Sequence, residues 1–321
     1  MITTNSTLRP FEEGDYEAFM RLHNLVETDS PVTVNELRHY FETRKDEFIA
    51  LEVLDGPHQG DLTAIYFLRK DQLGEGQIRF DIYLEPSRTT SDLQQQLYTA
   101  VLEKVTPHKP RALTVSIRED WQAWMNFYNA KGFEEVERQW DSRLNVKTFD
   151  PAPFTWAPAK AVSAGITFKT LADLPNIEAT QRLLYTTITQ VLLPDVPFSE
   201  PLSIWPFETW LERAWHNPHR DFAGTFLAFA EDDLVGISEL FSTDTPGKFS
   251  TGLTAVRREY RRKGIAQTLK LKAAEYVREN GGVEIETVNH LNNRPMLAIN
   301  EAMGFAKLPA WVRLRKRLGE P

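Results

Sequence analysis

The chain has no cysteine among its 321 residues. Disulfides, thiolate metal sites, iron–sulfur clusters and a cysteine nucleophile are excluded together. Also missing is any apolar run approaching the roughly 20 residues of a membrane span. Met1 to Pro10 lacks the basic stretch and apolar core of a secretory leader. The reading is therefore a globular, cytoplasmic protein with no membrane partner. Nor is there a cationic excess: 37 basic residues against 45 acidic ones leave a net charge of -8, which repels polyanions. No nucleic-acid partner is expected. What is present is an ordinary folded composition, 41% hydrophobic and 26% charged. At roughly 150 residues per domain, the length predicts two domains.

The seam falls at Lys147 to Gly165, where Pro151, Pro153 and Pro158 interrupt an alanine-rich stretch without evident periodicity. Domains are thus expected at 1–146 and 166–321, joined by a linker at 147–165. Sliding the sequence by 172 residues brings the two halves into register from Leu62/Leu234 to Phe133/Phe305. Leu93, Leu97, Val101 and Val105 then fall on Ile265, Leu269, Ala273 and Val277, an i, i+4 stripe of one helix face. Strand-like runs flank each helix, Arg79 to Leu84 and Ala112 to Ile117 in one half, Thr251 to Val256 and Val283 to Val288 in the other. Strand, helix, strand indicates a right-handed parallel crossover. The fold class is α/β, two repeated units each built on a mixed, partly parallel sheet.

Chemistry concentrates in Val256-Arg257-Arg258-Glu259-Tyr260-Arg261-Arg262-Lys263-Gly264-Ile265-Ala266, where a strand ends and a helix opens on a glycine. Helix N-termini present free N–H groups and a positive dipole end, and glycine lets a phosphate approach closely. Five of the seven residues 257–263 are basic. In the first half Asp92 stands opposite Gly264, Thr89 opposite Arg261 and Gln94 opposite Ala266, and Ser91 with Gln94 reads as a capping box that consumes the free N–H groups. The anion site belongs to the second half alone.

Arg261-x-x-Gly264-x-Ala266 resembles the acetyl-coenzyme A motif of the GNAT acetyltransferase superfamily. The order of Thr251 to Val256, Thr287-Val288-Asn289 and Asn293 to Phe305 agrees with that family over most of 166–318. The resemblance implies two tandem GNAT-like domains, the first degenerate, with acetyl transfer to a primary amine of a small molecule in the second. It implies acetyl-coenzyme A as co-substrate and no metal. Thr254, Ala255 and Val256 would pair with the pantetheine arm, Gly264, Ile265 and Ala266 with the pyrophosphate, aided by Arg261 and Arg262, and Asn293 with the arm again. Glu239, in the strand beside Thr251 to Val256, is the candidate proton acceptor. Many family members carry a tyrosine that protonates the departing thiolate, but here that position is Asn300, and an amide is no general acid. Asp195 and Glu200, in the connection between the first two helices, are candidates for recognising a cationic amine, with Asn289 at the same pocket. The reading leaves open a non-catalytic coenzyme-binding regulator or scaffold, and an amino-acid-like acceptor as in thiol-cofactor biosynthesis. A monomer or homodimer is expected.

Overall fold

The computed structural model describes residues 8–197 and 202–319. The first half contains β1 (Arg9–Pro10), α1 (Tyr16–Val26), α2 (Val34–Thr43), β2 (Phe48–Asp55), β3 (Leu62–Lys70) and β4 (Gln77–Leu84). It continues with α3 (Ser91–Val105), β5 (Ala112–Arg118), α4 (Gln122–Ala130) and β6 (Glu134–Asn145). Next come α5 (Trp156–Ser163), β7 (Ile166–Thr170), α6 (Glu178–Thr186) and α7 (Phe207–Trp210), with α6 and α7 each running on in wider π turns, to Leu192 and Trp215. The rest is β8 (Phe226–Ala230), β9 (Asp233–Ser242), β10 (Lys248–Val256), α8 (Ile265–Glu279), β11 (Glu284–His290), α9 (Arg294–Ala302), β12 (Ala306–Lys307) and β13 (Trp311–Arg317). Local chemistry sets several of these bounds. Thr33 and Glu36 cap α2 reciprocally, and the stripes of α3 and α8 bury Leu97, Val101, Val105, Ile265, Leu269, Ala273 and Val277.

The described residues form two compact units. One comprises 8–138, 202–203 and 311–319, and its strands run β1-β2-β3-β4-β5-β13, antiparallel except for β4 beside β5. Val312 and Leu314 of β13 pack into its core with Phe80, Leu97 and Tyr128. The other comprises 139–197 and 204–310, with strands β7-β8-β9-β10-β11, then residues 139–145 of β6, and β12 beyond. Only β10 and β11 are parallel. Leu144 joins Leu240, Leu271, Val277 and Phe305 in its core. Each unit is a mixed sheet built round one crossover, β4-α3-β5 or β10-α8-β11, flanked by helices.

The unit boundaries depart from the expected ones. The last strand of the chain completes the first sheet, while residues 139–145 complete the second. An alternating strand such as Trp311–Arg317 fits the edge of either sheet, so its pattern does not name its partner. Nor is 147–165 a bare linker. Ala157 and Ala161, one helical turn apart, are fully buried on α5, and Ala161 packs with Val256, Ile265 and Leu269.

Candidate functional site

In the second unit β10 and β11 pair only over Lys248–Ser250 and Glu284–Glu286, although the strands continue to Val256 and His290. Beyond that row the arms separate, and residues 251–256 present a backbone edge with no strand partner on that side. An extended ligand carrying amides can pair there in β fashion. On its other edge β10 takes in one extra residue: Thr251 faces Leu240, whereas Thr254 faces Ser238, which puts a bulge at Gly252-Leu253.

Glu239 lies opposite the bulge. Its Oε2 accepts the Leu253 N–H at 3.0 Å and its Oε1 accepts Arg220 Nη2 at 2.8 Å. The Arg220 side chain, 1% exposed, also donates Nε to the Ala214 carbonyl and lies over the Phe241 ring. A Cβ on Gly252 would stand 2.9 Å from Glu239 Oε2 and 2.7 Å from Phe241, so glycine is what lets the bulge fold against this pair. The expected proton acceptor is thus placed as a carboxylate held between Arg220 and the bulge. Both carboxylate oxygens are engaged, because the bulge frees an amide that must find an acceptor in a half-buried place. In this structure Glu239 brackets the Leu253 amide and Arg220.

Past Val256 the basic turn folds back on the strand, Arg261 donating Nε to the Val256 carbonyl at 3.1 Å. Arg262 and Gly264 both take left-handed backbone, φ +62° and +78°. Gly264 is the N-cap of α8 and no side chain caps its first turn, so the leading N–H groups of the helix have no side-chain acceptor. Thr268 satisfies only the Gly264 carbonyl. An N-terminus of this kind, following a basic turn, suits an anion. The glycine has a second duty: a Cβ there would lie 2.6 Å from the Ala157 carbonyl oxygen, so α5 sits directly on it.

Asp195 also meets this turn. Its carboxylate pairs with Arg258 at 2.6 Å and Arg261 at 2.7 Å, and these guanidiniums, Arg258 foremost, hold it below the usual carboxylate range. The expected role at an amine gives way to a contact with the basic turn, since two arginines within reach outbid a solvent-facing position. Glu200 lies outside the described residues. Thr254 shares a hydroxyl hydrogen bond with Ser238 at 2.9 Å, and Ala255 and Val256 follow it along the open arm of β10. Asn289, on the arm of β11, is 3% exposed, and its Nδ2 has no hydrogen-bond partner among the described residues. Asn293 begins α9, accepting the Leu297 N–H on its carbonyl. Asn300 is 2% exposed, and among the described residues neither polar atom of its side-chain amide finds a hydrogen-bond partner. Two buried groups of this unit escaped the sequence reading, Arg220 and Lys270. A lysine on the same helical stripe as Ala266 and Ala273 was the available signal for the second.

The first unit keeps the parting of its parallel strands, which pair only over Gln77–Arg79 and Ala112–Thr114. It lacks the other two features. The β3–β4 register runs without interruption from Ala64/Leu84 to Lys70/Ile78, and the N-terminus of α3 is capped. The cap is Thr90, whose hydroxyl accepts the Leu93 N–H, one residue before the expected Ser91, which is already helical. Tyr128, at the position matching Asn300, is a core residue stacked on Trp124, its hydroxyl pushed well above its ordinary pKa by burial.

Among the described residues no group of three or more His, Asp or Glu side chains is placed to hold a metal ion, and no helix is long and apolar enough to cross a membrane. Residues 188–305 match the acetyltransferase (GNAT) family model. No curated protein matches the chain in sequence. Among solved structures, a GCN5-related N-acetyltransferase from Sphaerobacter thermophilus is 22% identical, with 98% of this chain and 96% of that one covered at a TM-score of 0.74. A tandem GNAT protein from the clavulanic acid biosynthesis pathway is 18% identical, with 98% and 99% covered at 0.72. At these identities the likeness is one of fold. The family match is thus confined to residues 188–305, and over the whole chain the likeness is to the fold of a tandem GNAT protein.

Proposed function

We propose that this GNAT-domain protein binds acetyl-coenzyme A between the parted arms of β10 and β11 and transfers the acetyl group to a primary amine of a small molecule by direct attack. One observation carries the reading: among the described residues, the crossover of the second unit combines a bulged first strand, a parted parallel pair and a helix with no side-chain cap, whereas in the first unit β4 pairs with β3 without a bulge and α3 is capped. The residues suit the coenzyme. Gly264, Ile265 and Ala266 would offer N–H groups to the pyrophosphate, with Arg261 and Arg262 alongside. The edge at Thr254, Ala255 and Val256 would pair with pantetheine amides, and Asn289 and Asn293 would line the far arm. The bulge amides held in place by Glu239 would sit where charge develops on the acetyl oxygen.

The reading is tested by an amine-library screen on the full-length protein with acetyl-coenzyme A, read as thiol release. Turnover with at least one amine class is expected. Coenzyme binding without turnover on any amine would favour a non-catalytic coenzyme sensor, a reading to which the amide at Asn300 lends its support. Asp195 offers a second check. Its carboxylate already occupies Arg258 and Arg261, so Asp195→Asn is expected to tighten coenzyme binding by about two- to five-fold at low salt, the scale of an exposed ion pair. Calorimetry measures it, and weaker binding would mean that Asp195 orients the arginines instead of competing for them.

A further inference from the structure

Lys270 on α8 is 3% exposed, and among the described residues its Nζ has no hydrogen-bond acceptor. Near it in chain or fold, Gln267 leaves Nε2 unpaired one turn earlier, and Asn300 on α9 leaves its whole amide unpaired. Taking an ammonium out of water without a partner is costly. Burial alone, with no charged side chain contributing, pushes the Lys270 ammonium down to about 8.

The strand registers place this group. Lys270 Nζ stands 4.9 Å from the centre of the Phe305 ring. Phe305 precedes Ala306, which faces Arg143 on β6; Arg143 faces Glu286 on β11; and Glu286 faces Ser250 on β10. That is the last paired row before β10 and β11 separate. The Phe305 N–H bonds to the Asn300 carbonyl at 3.0 Å, so the end of α9 carries Asn300 to the same region. The row itself leaves β12 three strands from β10, but the Phe305 ring shares a core cluster with Ile285 of β11 and with Leu240, which faces Thr251, so Lys270 packs beside the cluster under the paired end of β10 and β11.

We infer that Lys270 gives its proton to the thiolate that departs when the amine attacks, the part an amide at Asn300 cannot take. This rests on the acyl-transfer reading above. The amine nitrogen bonds to the acetyl carbon as the carbon–sulfur bond breaks, the electron pair of that bond passes to sulfur, and a proton moves from Nζ to sulfur. The attacking nitrogen gives up its extra proton to water, and water returns one to the neutral lysine.

The test compares wild type with Lys270→Met, of similar length and apolar, and Lys270→Arg, which keeps the charge. The first readout needs no acceptor. Full-length protein is saturated with coenzyme A, and the thiol is titrated by thiolate ultraviolet absorbance against desulfo-coenzyme A. A neighbouring ammonium holds the bound thiol below its ordinary value of about 8.5. That depression is expected in wild type and Lys270→Arg and lost in Lys270→Met. The second readout is leaving-group dependence: Lys270→Met should lose roughly 10²-fold or more in kcat with acetyl-coenzyme A and little with an aryl acetate whose leaving group needs no proton. Calorimetric affinity for coenzyme A should be unchanged. Identical thiol titrations in all three proteins, or equal losses with both donors, overturn the assignment of Lys270 while leaving acyl transfer standing. Failure of wild type to bind coenzyme A overturns the underlying reading, and this inference with it.

Discussion

Gly264→Asp is expected to abolish coenzyme binding and to lower the melting temperature of the protein as well. The backbone at Gly264 is left-handed, which costs a Cβ-bearing residue about 1–2 kcal/mol. The added Cβ would also stand 2.6 Å from the Ala157 carbonyl oxygen and 3.1 Å from its Cα, so α5 has to move, at about 1–3 kcal/mol more. In a domain of this size that is a fall of roughly 4–20 °C. The carboxylate then adds repulsion at the helix end that would receive the pyrophosphate, a loss beyond about 100-fold in affinity. Gly264→Ala separates the two effects: it should melt as early as the aspartate variant yet keep measurable binding. Thermal melts and calorimetry decide it. An aspartate variant as stable as wild type would remove the packing role, and one with normal affinity would place the pyrophosphate elsewhere.

Packing against α5 is something the sequence conceals, and the reason is general to this chain. Features set by a local pattern were legible. The i, i+4 stripes of α3 and α8 located both crossovers, and the lone glycine after a basic run located the open helix end. Features set by which surface meets which were not. The alanines at 157 and 161 are too small to announce a buried face, so α5 read as linker, although they are what allow it to lie against Gly264 and Ile265. Val312 and Leu314 show that β13 has a buried face without showing which sheet it joins. Asp195 and the basic turn are more than sixty positions apart in the chain, and only the fold makes them an ion pair.

The bulge at Gly252-Leu253 was hidden for another reason. A single offset of 172 residues aligns the halves without a gap, while the structure inserts one residue into β10 that β4 does not have. A one-residue slip is invisible to a gapless comparison, yet it decides which unit has a freed amide. The setting of Glu239 depends on the same slip. The residue was placed on the right strand, opposite Phe67, but its partner, the Leu253 N–H, exists only because of the bulge, and Arg220 comes from a loop with no motif of its own.

Glu239→Gln therefore reports on the bracket. The substitution keeps the shape and removes the charge that balances Arg220, whose side chain is 1% exposed. An unbalanced buried charge costs about 3–5 kcal/mol, so urea denaturation should show a large fall in midpoint with little change in slope. Arg220→Met combined with Glu239→Gln should recover much of that loss, since the stranded cation is gone and the pair is coupled. The activity of Glu239→Gln should drop by a factor that stays level with pH, because the bulge amides have lost their anchor whatever the protonation of the amine. A proton acceptor would behave in the opposite way. Stability would hold, kcat/KM would fall roughly 10²-fold near neutral pH, and the defect would shrink as rising pH supplied free amine. That second pattern would return Glu239 to the chemistry and leave the Leu253 amide held by the rest of β9 and β10.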